Sequence, residues 1–155
     1  MYRYATLNDI DNLKYSYDFI RNDYISKGIN TLRDLSKEDL KNLIEENKVI
    51  INCEPTELGY YEAACYTEYE DYVQVDWILG WGTRNTESIK MYITVDTKKP
   101  TRYYTTVGSP FAEWMIHNKY PYIRENCRLV ETVEIDGQTF ENYEFSPPEL
   151  NLLHD

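Results

Sequence analysis

The spacing of apolar residues changes near Lys48, and this change limits the possible folds more than any other feature of the sequence. Before Lys48, apolar residues recur every three or four positions, as they do on one face of an amphipathic α-helix. After Lys48, apolar and polar residues mostly alternate, as they do in β-strands with one buried face. Helices followed by a run of strands are typical of an α+β fold. We therefore predict a single α+β domain with a mostly antiparallel mixed sheet, two N-terminal helices and one late helix.

The first third of the chain predicts one short strand and two helices. Residues 2–6 alternate briefly and predict the strand. The first helix has an apolar face with spacings of three and four residues, formed by Ile10, Leu13, Tyr17, Ile20 and Tyr24. Gly28 suits its C-terminal cap. Ser36 suits the N-cap of the second helix, with Asp39 three residues later, and we expect this helix to end near Asn47.

The rest of the chain predicts strands, a late helix and a hairpin. The expected strands are Val49–Cys53, Leu58–Tyr69, Val73–Leu79, Arg102–Val107 and two hairpin arms, Arg128–Ile135 and Gln138–Phe145. Asp136 and Gly137 form a favourable two-residue turn between the arms. We expect the late helix to have Ser109 as its N-cap and Pro110 at its first helical position.

Residues 86–95 fit two interpretations. Thr86 can cap a helix that runs through Tyr92. Apolar side chains at every second position favour a strand instead, namely Ile89, Met91, Ile93 and Val95. We predict a strand and keep the helix as the alternative.

Length and charge set the class of protein. The 155 residues suit one domain, which we place at residues 1–145, with a C-terminal tail at 146–155. With 16 basic and 27 acidic residues, the net charge is −11. Such a charge repels phosphate backbones, so we expect no direct binding to nucleic acid. The acidity suits either simple solubility or a surface that attracts a basic partner.

The cysteines and the N-terminus indicate the compartment. Cys53, Cys65 and Cys127 are widely spaced and odd in number, which predicts reduced thiols and neither disulfides nor a metal site. No apolar run is long enough for a signal peptide or a membrane span. We therefore expect a cytoplasmic protein.

Two segments are candidates for chemistry. Asp76 lies within an apolar strand, where a raised pKa is one interpretation and a solvent-facing position is the other. The segment from Gly80 to Arg84 reads Gly-Trp-Gly-Thr-Arg, and its glycines allow backbone amides to approach an anion closely. An ordinary turn is the alternative for this segment.

The order of the elements resembles the GNAT acyltransferase superfamily. The segment from Arg3 to Leu13, with sequence RYATLNDIDNL, is similar to the first strand and helix of that family. The resemblance covers nearly the whole chain and depends on topology. Members carry an Arg/Gln-x-x-Gly-x-Gly/Ala loop that cradles the cofactor and opens a helix. When Gly80 and Gly82 are aligned with its glycines, Trp77 stands where the family has Arg or Gln.

The resemblance implies acyl transfer from acetyl-CoA to an amine. It assigns the cofactor phosphates to Gly80, Gly82, Thr83 and Arg84. A carboxylate, here Asp76, takes the proton of the amine. The family often has a tyrosine as general acid on its last helix, and Tyr120 is the nearest tyrosine to that position.

A second hypothesis is a non-enzymatic interaction protein. Its basis is the net charge of −11, the 16 tyrosines and the lack of a familiar catalytic motif. Tyrosine is enriched at protein interfaces. The composition resembles phage proteins, so this hypothesis predicts an inhibitor, DNA mimic or assembly factor that binds a basic protein partner.

Overall fold

A computed structural model describes residues 2–28, 32–52, 62–80, 87–106, 126–135 and 137–146. Its helices are α1 (Ile10–Ser26), α2 (Lys37–Glu45) and α3 (Glu87–Thr97), with a 3₁₀ turn at Leu7–Asp9. Its strands are β1 (Tyr2–Tyr4), β2 (Val49–Asn52), β3 (Ala63–Glu68), β4 (Val73–Leu79), β5 (Thr101–Thr106), β6 (Cys127–Ile135) and β7 (Gln138–Phe145). None of the helices within these ranges is both long and apolar enough to span a membrane.

The described strands form one seven-stranded sheet in the order β1-β2-β3-β4-β5-β7-β6. The β4–β5 pair is parallel, and every other neighbouring pair is antiparallel. The sheet has a core on each face. The core on one face joins α1 and α2 to the sheet, and the core on the other joins α3 to it. The α+β class and the mostly antiparallel mixed sheet are therefore confirmed.

The predicted helix ends agree with the structure in detail. Ser36 caps α2, since its Oγ accepts a hydrogen bond from the Asp39 backbone N–H at 3.0 Å and its own N–H donates to the Asp39 carboxylate. Gly28, just beyond α1, has a φ of +76°, a conformation that only glycine adopts at little cost. The hairpin is also confirmed, because β6 and β7 pair from Ile135 and Gln138 outwards.

The prediction of a strand at residues 86–95 is wrong, because residues 87–95 belong to α3. Ile89 and Ile93 are both fully buried and lie four residues apart, on one side of the helix. Met91 and Val95 are 52% and 40% exposed, so the apolar alternation did not mark a buried face. Topology also favours a helix, because parallel neighbours such as β4 and β5 need a crossover connection, which is usually helical.

The outermost of the described strands, β6, is irregular. Leu129 pairs with Tyr143 and Glu131 with Asn142, so Val130 is an extra residue that forms a bulge. None of the described residues of β6 is buried, and they include Glu131 and Glu134. The opposite edge of the sheet, β1, has only three residues.

An ion pair between an exposed Arg3 and a buried Asp9 fixes the start of α1 against β1. Arg3 donates two hydrogen bonds to the Asp9 carboxylate, at 2.8 and 2.9 Å, and the Thr6 backbone N–H donates a third at 2.8 Å. These contacts, those of Arg3 first, hold the pKa of Asp9 below its ordinary value of 3.8. The Asp9 carboxylate therefore stabilises the fold above pH 3.8, and this stability is lost as the pH falls through the lower pKa of the folded state.

Replacing Asp9 with Asn is expected to lower the free energy of unfolding at pH 7 by about 1.5–3 kcal/mol, the usual contribution of a charged hydrogen bond. Asp11→Asn is the matched control, since that side chain is exposed and its ion pair with Lys37 is worth little. Urea unfolding at pH 7 measures the difference. Equal stability of the two variants would show that the Arg3–Asp9 pair contributes nothing beyond a surface pair.

Candidate functional site

A bulge in β4 lies at Asp76. Cys65 of β3 pairs with Trp77, whereas the next residue, Tyr66, pairs with Val75, so Asp76 is an extra residue in β4. A bulge breaks the alternation of side chains between the two faces of a sheet. Trp77 belongs to the core beneath α1 and α2, and Asp76 lines a cavity on the same side. The irregularity thus brings two consecutive side chains to one face.

The cavity lies between this face of the sheet and the α1–α2 layer. Its volume is about 360 Å³, within the range of about 300–1,000 Å³ typical of small-molecule sites. The helices and the segment between them contribute Tyr17, Arg33, Leu35 and Leu43. The sheet contributes Cys65, Asp76, Trp77, Tyr104, Ile135 and Phe140. The lining is thus largely apolar and aromatic, with a few polar groups.

The surroundings of Asp76 raise the pKa of its carboxyl group. The side chain reaches solvent through the cavity, but surrounding protein atoms remove much of its hydration, and this raises the pKa above its ordinary value of 3.8. The positive charges of Lys48 and Arg33 and a weak contact from Cys65 Sγ, at 3.9 Å, act in the opposite direction. A carboxylate with a raised pKa is a stronger base, which suits proton abstraction near neutral pH.

Two tyrosines that line the cavity donate their hydroxyl protons to other protein oxygens. Tyr17 Oη donates its proton to the Arg33 carbonyl oxygen at 2.6 Å. Tyr104 Oη donates to the Glu131 carboxylate at 3.1 Å, and burial together with this bond raises the pKa of Tyr104 to about 12. Because each hydroxyl has only one proton, each oxygen has lone pairs left for a donor such as an amine N–H.

A buried amide pair holds Glu131 in place. Gln74 of β4 and Asn142 of β7 exchange two hydrogen bonds, at 3.1 and 2.9 Å. Asn142 also donates to the same Glu131 oxygen that accepts from Tyr104, at 3.3 Å. Satisfied buried networks of this kind restrict side chains to one arrangement. The orientation of Tyr104 is therefore set by residues from β4, β6 and β7.

The strands β4 and β5 separate beside the cavity. Their ladder joins Val73–Val75 to Thr101–Tyr103. Beyond it, β4 stays paired with β3 as far as Leu79, and β5 stays paired with β7 as far as Thr106. Within the described strands, the backbone of β4 from Asp76 onwards therefore has no β5 partner. Asp76 and Tyr104 are the first residues past the point of separation.

The structure describes only some of the predicted site residues. Asp76 lines the cavity, and Gly80 directly follows β4. The other predicted residues lie outside the described residues, namely Gly82, Thr83, Arg84 and Tyr120. The helix predicted from Ser109 and the tail beyond Ser146 also lie outside them.

Sequence reasoning missed the cavity residues Tyr17, Arg33 and Tyr104. Tyr17 was assigned only to the apolar face of the first helix. The pair Tyr103-Tyr104 lies in a strand, so the two side chains must face opposite sides of the sheet, but nothing in the sequence says which side holds the cavity.

The thiols do not form a reactive centre in the described part of the chain. Cys65 is buried and Cys127 is partly buried, and neither is in a disulfide. Burial raises the pKa of both thiols, that of Cys127 to about 11, which keeps them protonated at neutral pH. Among the described residues, no group of three or more His, Cys, Asp or Glu side chains is arranged to hold a metal ion.

Comparison with known proteins identifies the fold. No protein-family model and no curated protein matches the sequence. A structure described as a GNAT-family acetyltransferase from Bacteroides thetaiotaomicron has a TM-score of 0.61 over 99% of this chain and 94% of its own, at 13% identity. One described in the same terms from Bordetella pertussis has a TM-score of 0.59 over 94% of both chains, at 9% identity.

A third structure, the ribosomal-protein-alanine N-acetyltransferase from Brucella melitensis, has a TM-score of 0.57 over 93% of this chain and 98% of its own, at 14% identity. The helix found at Glu87–Thr97 fits these similarities, because the family resemblance implies a helix after the loop at Gly80. The chain therefore has the fold of the GNAT acetyltransferases.

Proposed function

We propose that the chain is an N-acyltransferase that uses acetyl-CoA and acylates a primary amine. The observation that carries this proposal is the position of Asp76. Its carboxylate lines a cavity at the point where β4 and β5 separate, so a base lies beside a gap in the sheet. The GNAT fold supports the same reaction class.

The free edge of β4 supports a site for the extended arm of acetyl-CoA. An extended ligand that contains amide groups binds an unpaired strand edge through backbone hydrogen bonds, as an added strand does. The stretch of β4 from Asp76 to Leu79 offers such an edge on its β5 side, within the described strands. We propose that the arm lies there.

The phosphates of the cofactor are assigned to the segment from Gly80 to Arg84. This segment leads from the end of β4 to α3, which begins at Glu87. Backbone N–H groups near the start of a helix bind phosphate oxygens well. Arg84 adds a positive charge, and Gly82 and Thr83 contribute backbone amides.

The cavity residues suit the acceptor half of the reaction. Acetyl-CoA supplies the activated acyl group. Tyr17 and Tyr104 orient the amine through their hydroxyl oxygens, and Asp76 takes its proton, directly or through a water. Tyr120 remains the proposed general acid for the departing thiol.

Replacing Gly82 with Glu is expected to abolish acetyl-CoA binding, because the new side chain brings a carboxylate to the phosphate site. Asn42→Glu on the exposed side of α2 adds the same charge elsewhere and is the matched control. Isothermal titration with acetyl-CoA is expected to show 1:1 binding to the parent and to the control. Absence of binding to the parent at millimolar cofactor would refute the proposed function.

Binding to a basic protein partner stays a separate prediction from composition. A complex of this kind is held by surface charge, so it should weaken steeply with salt. Pull-down at two salt concentrations measures this dependence.

A further inference from the structure

We propose that the acyl acceptor is a zwitterionic amino acid with an apolar side chain, whose free carboxylate binds Arg33. The inference rests on the proposed function for the transfer step but concerns the acceptor cavity itself. It is carried by two opposite charges that line one cavity and form no ion pair with each other.

Arg33 is held in place through its backbone. Its carbonyl oxygen accepts the Tyr17 hydroxyl at 2.6 Å, and the carbonyl of the preceding residue, Leu32, accepts Arg21 Nε at 3.2 Å. Leu32 is itself buried in the core beneath α1 and α2. The segment that carries Arg33 is thus anchored to α1 by two hydrogen bonds and by packing.

The Arg33 guanidinium has no polar partner among the described residues. Within the described part of the chain it makes no hydrogen bond and no ion pair, although it lines the cavity and its charge lowers the pKa values of both Asp76 and Tyr17. A guanidinium presents its N–H groups in a planar fork that binds a carboxylate through two parallel hydrogen bonds. A ligand carboxylate is the natural partner for such a group.

Asp76 supplies the complementary charge. Its only hydrogen bond to a described residue is the weak contact with Cys65 Sγ at 3.9 Å. Tyr17 and Tyr104 donate their hydroxyl protons elsewhere, so the remaining lone pairs of their oxygens, together with the Asp76 carboxylate, offer acceptors for an ammonium group. An α-amino acid has both charges, joined by one carbon. Its ammonium group gives one proton to Asp76 to become the attacking amine, and the second proton lost as the amide forms is balanced by protonation of the departing CoA thiolate.

The remaining walls select the side chain of the acceptor. Leu35, Leu43, Ile135 and Phe140 line the cavity together with the ring of Trp77. Apolar walls favour an apolar side chain, because a polar one would lose its hydration without compensation. Leucine is therefore a suitable probe.

The test is isothermal titration of the protein with L-leucine and two matched analogues, each with and without saturating CoA. 3-Methylbutylamine lacks the carboxylate, and 4-methylpentanoate lacks the amine. Leucine is expected to bind about 10- to 100-fold more tightly than either analogue, as loss of a charged hydrogen bond predicts. In Arg33→Gln the advantage over 3-methylbutylamine should disappear, while Lys41→Gln, a charge loss on α2 outside the cavity lining, should retain it.

Equal binding of leucine and 3-methylbutylamine, or no binding of any of the three molecules, overturns the inference. Titration with acetyl-CoA reports separately on the proposed function. If leucine shows its advantage but acetyl-CoA does not bind, the amino acid site stands and the acyltransferase assignment fails.

Discussion

Replacing Asp76 with Asn is expected to slow acyl transfer by about 10²–10⁴-fold, the usual contribution of a general base. The amide keeps the shape of the side chain but cannot take the proton of the amine, so acetyl-CoA binding should not change. Asp71→Asn is the matched control, because Asp71 is exposed and does not line the cavity. Release of free CoA thiol in the presence of an acceptor amine measures the rate. An Asp76→Asn variant with the parental rate would exclude a proton-transfer role for this residue.

The same substitution is expected to stabilise the fold at neutral pH. Because burial raises the pKa of Asp76, the folded state binds its proton more tightly than the unfolded state does. The protonated carboxyl therefore contributes its whole stabilisation below pH 3.8, the ordinary pKa of this group. This stabilisation is lost as the pH rises through the higher pKa of the folded state. Asp76→Asn removes this loss, so its melting temperature should exceed the parental value at pH 8 and approach it near pH 3.5. A variant less stable than the parent at pH 8 would contradict the raised pKa.

Replacing Ile93 with Ala is expected to cost about 2–5 kcal/mol of unfolding free energy, as large-to-small changes in a packed core do. Ile93 is fully buried between α3 and the sheet, in the core that also contains Val75 and Tyr103. Met91→Ala is the matched control, and its cost should stay within about 0.5 kcal/mol because the side chain is 52% exposed. Urea unfolding of both variants gives the two free energies.

This pair of variants distinguishes between a helical and a strand conformation of the segment that contains Met91 and Ile93. In a strand, residues two apart share a face, so Met91 and Ile93 would be buried together and both substitutions would be costly. In α3 the two side chains project from different sides. Comparable losses of stability from the two variants would therefore contradict the position of α3.

Local signals in the sequence were sufficient to predict α1, α2 and the β6–β7 hairpin. The cap at Ser36 and the turn at Gly137 depend on neighbouring residues, so the sequence shows them directly. Residues 86–95 carried two local patterns at once, because two exposed apolar side chains, Met91 and Val95, filled the gaps of a helical pattern. The parallel pairing of β4 with β5 favours the helix over the strand, but this pairing joins distant residues and is not visible in the local sequence.

The candidate site was less predictable than the fold. Asp76 could be nominated as a carboxyl within an apolar strand, but the bulge that brings it to the face of Trp77 depends on the register with β3. The contacts around it join distant residues, as when Gln74 bonds to Asn142 across 68 positions. A single sequence gives no sign of such pairs.

The irregular outer strand β6 bears on the behaviour of the protein at high concentration. An outermost strand leaves a row of backbone groups free to pair with another chain, and a long flat one invites intermolecular sheet growth. In β6 the bulge at Val130 interrupts the regular hydrogen-bonding edge, and Glu131 and Glu134 bring negative charge to it. A second copy that approached this edge would meet the same charges, so the outermost of the described strands disfavours edge-to-edge pairing with another chain.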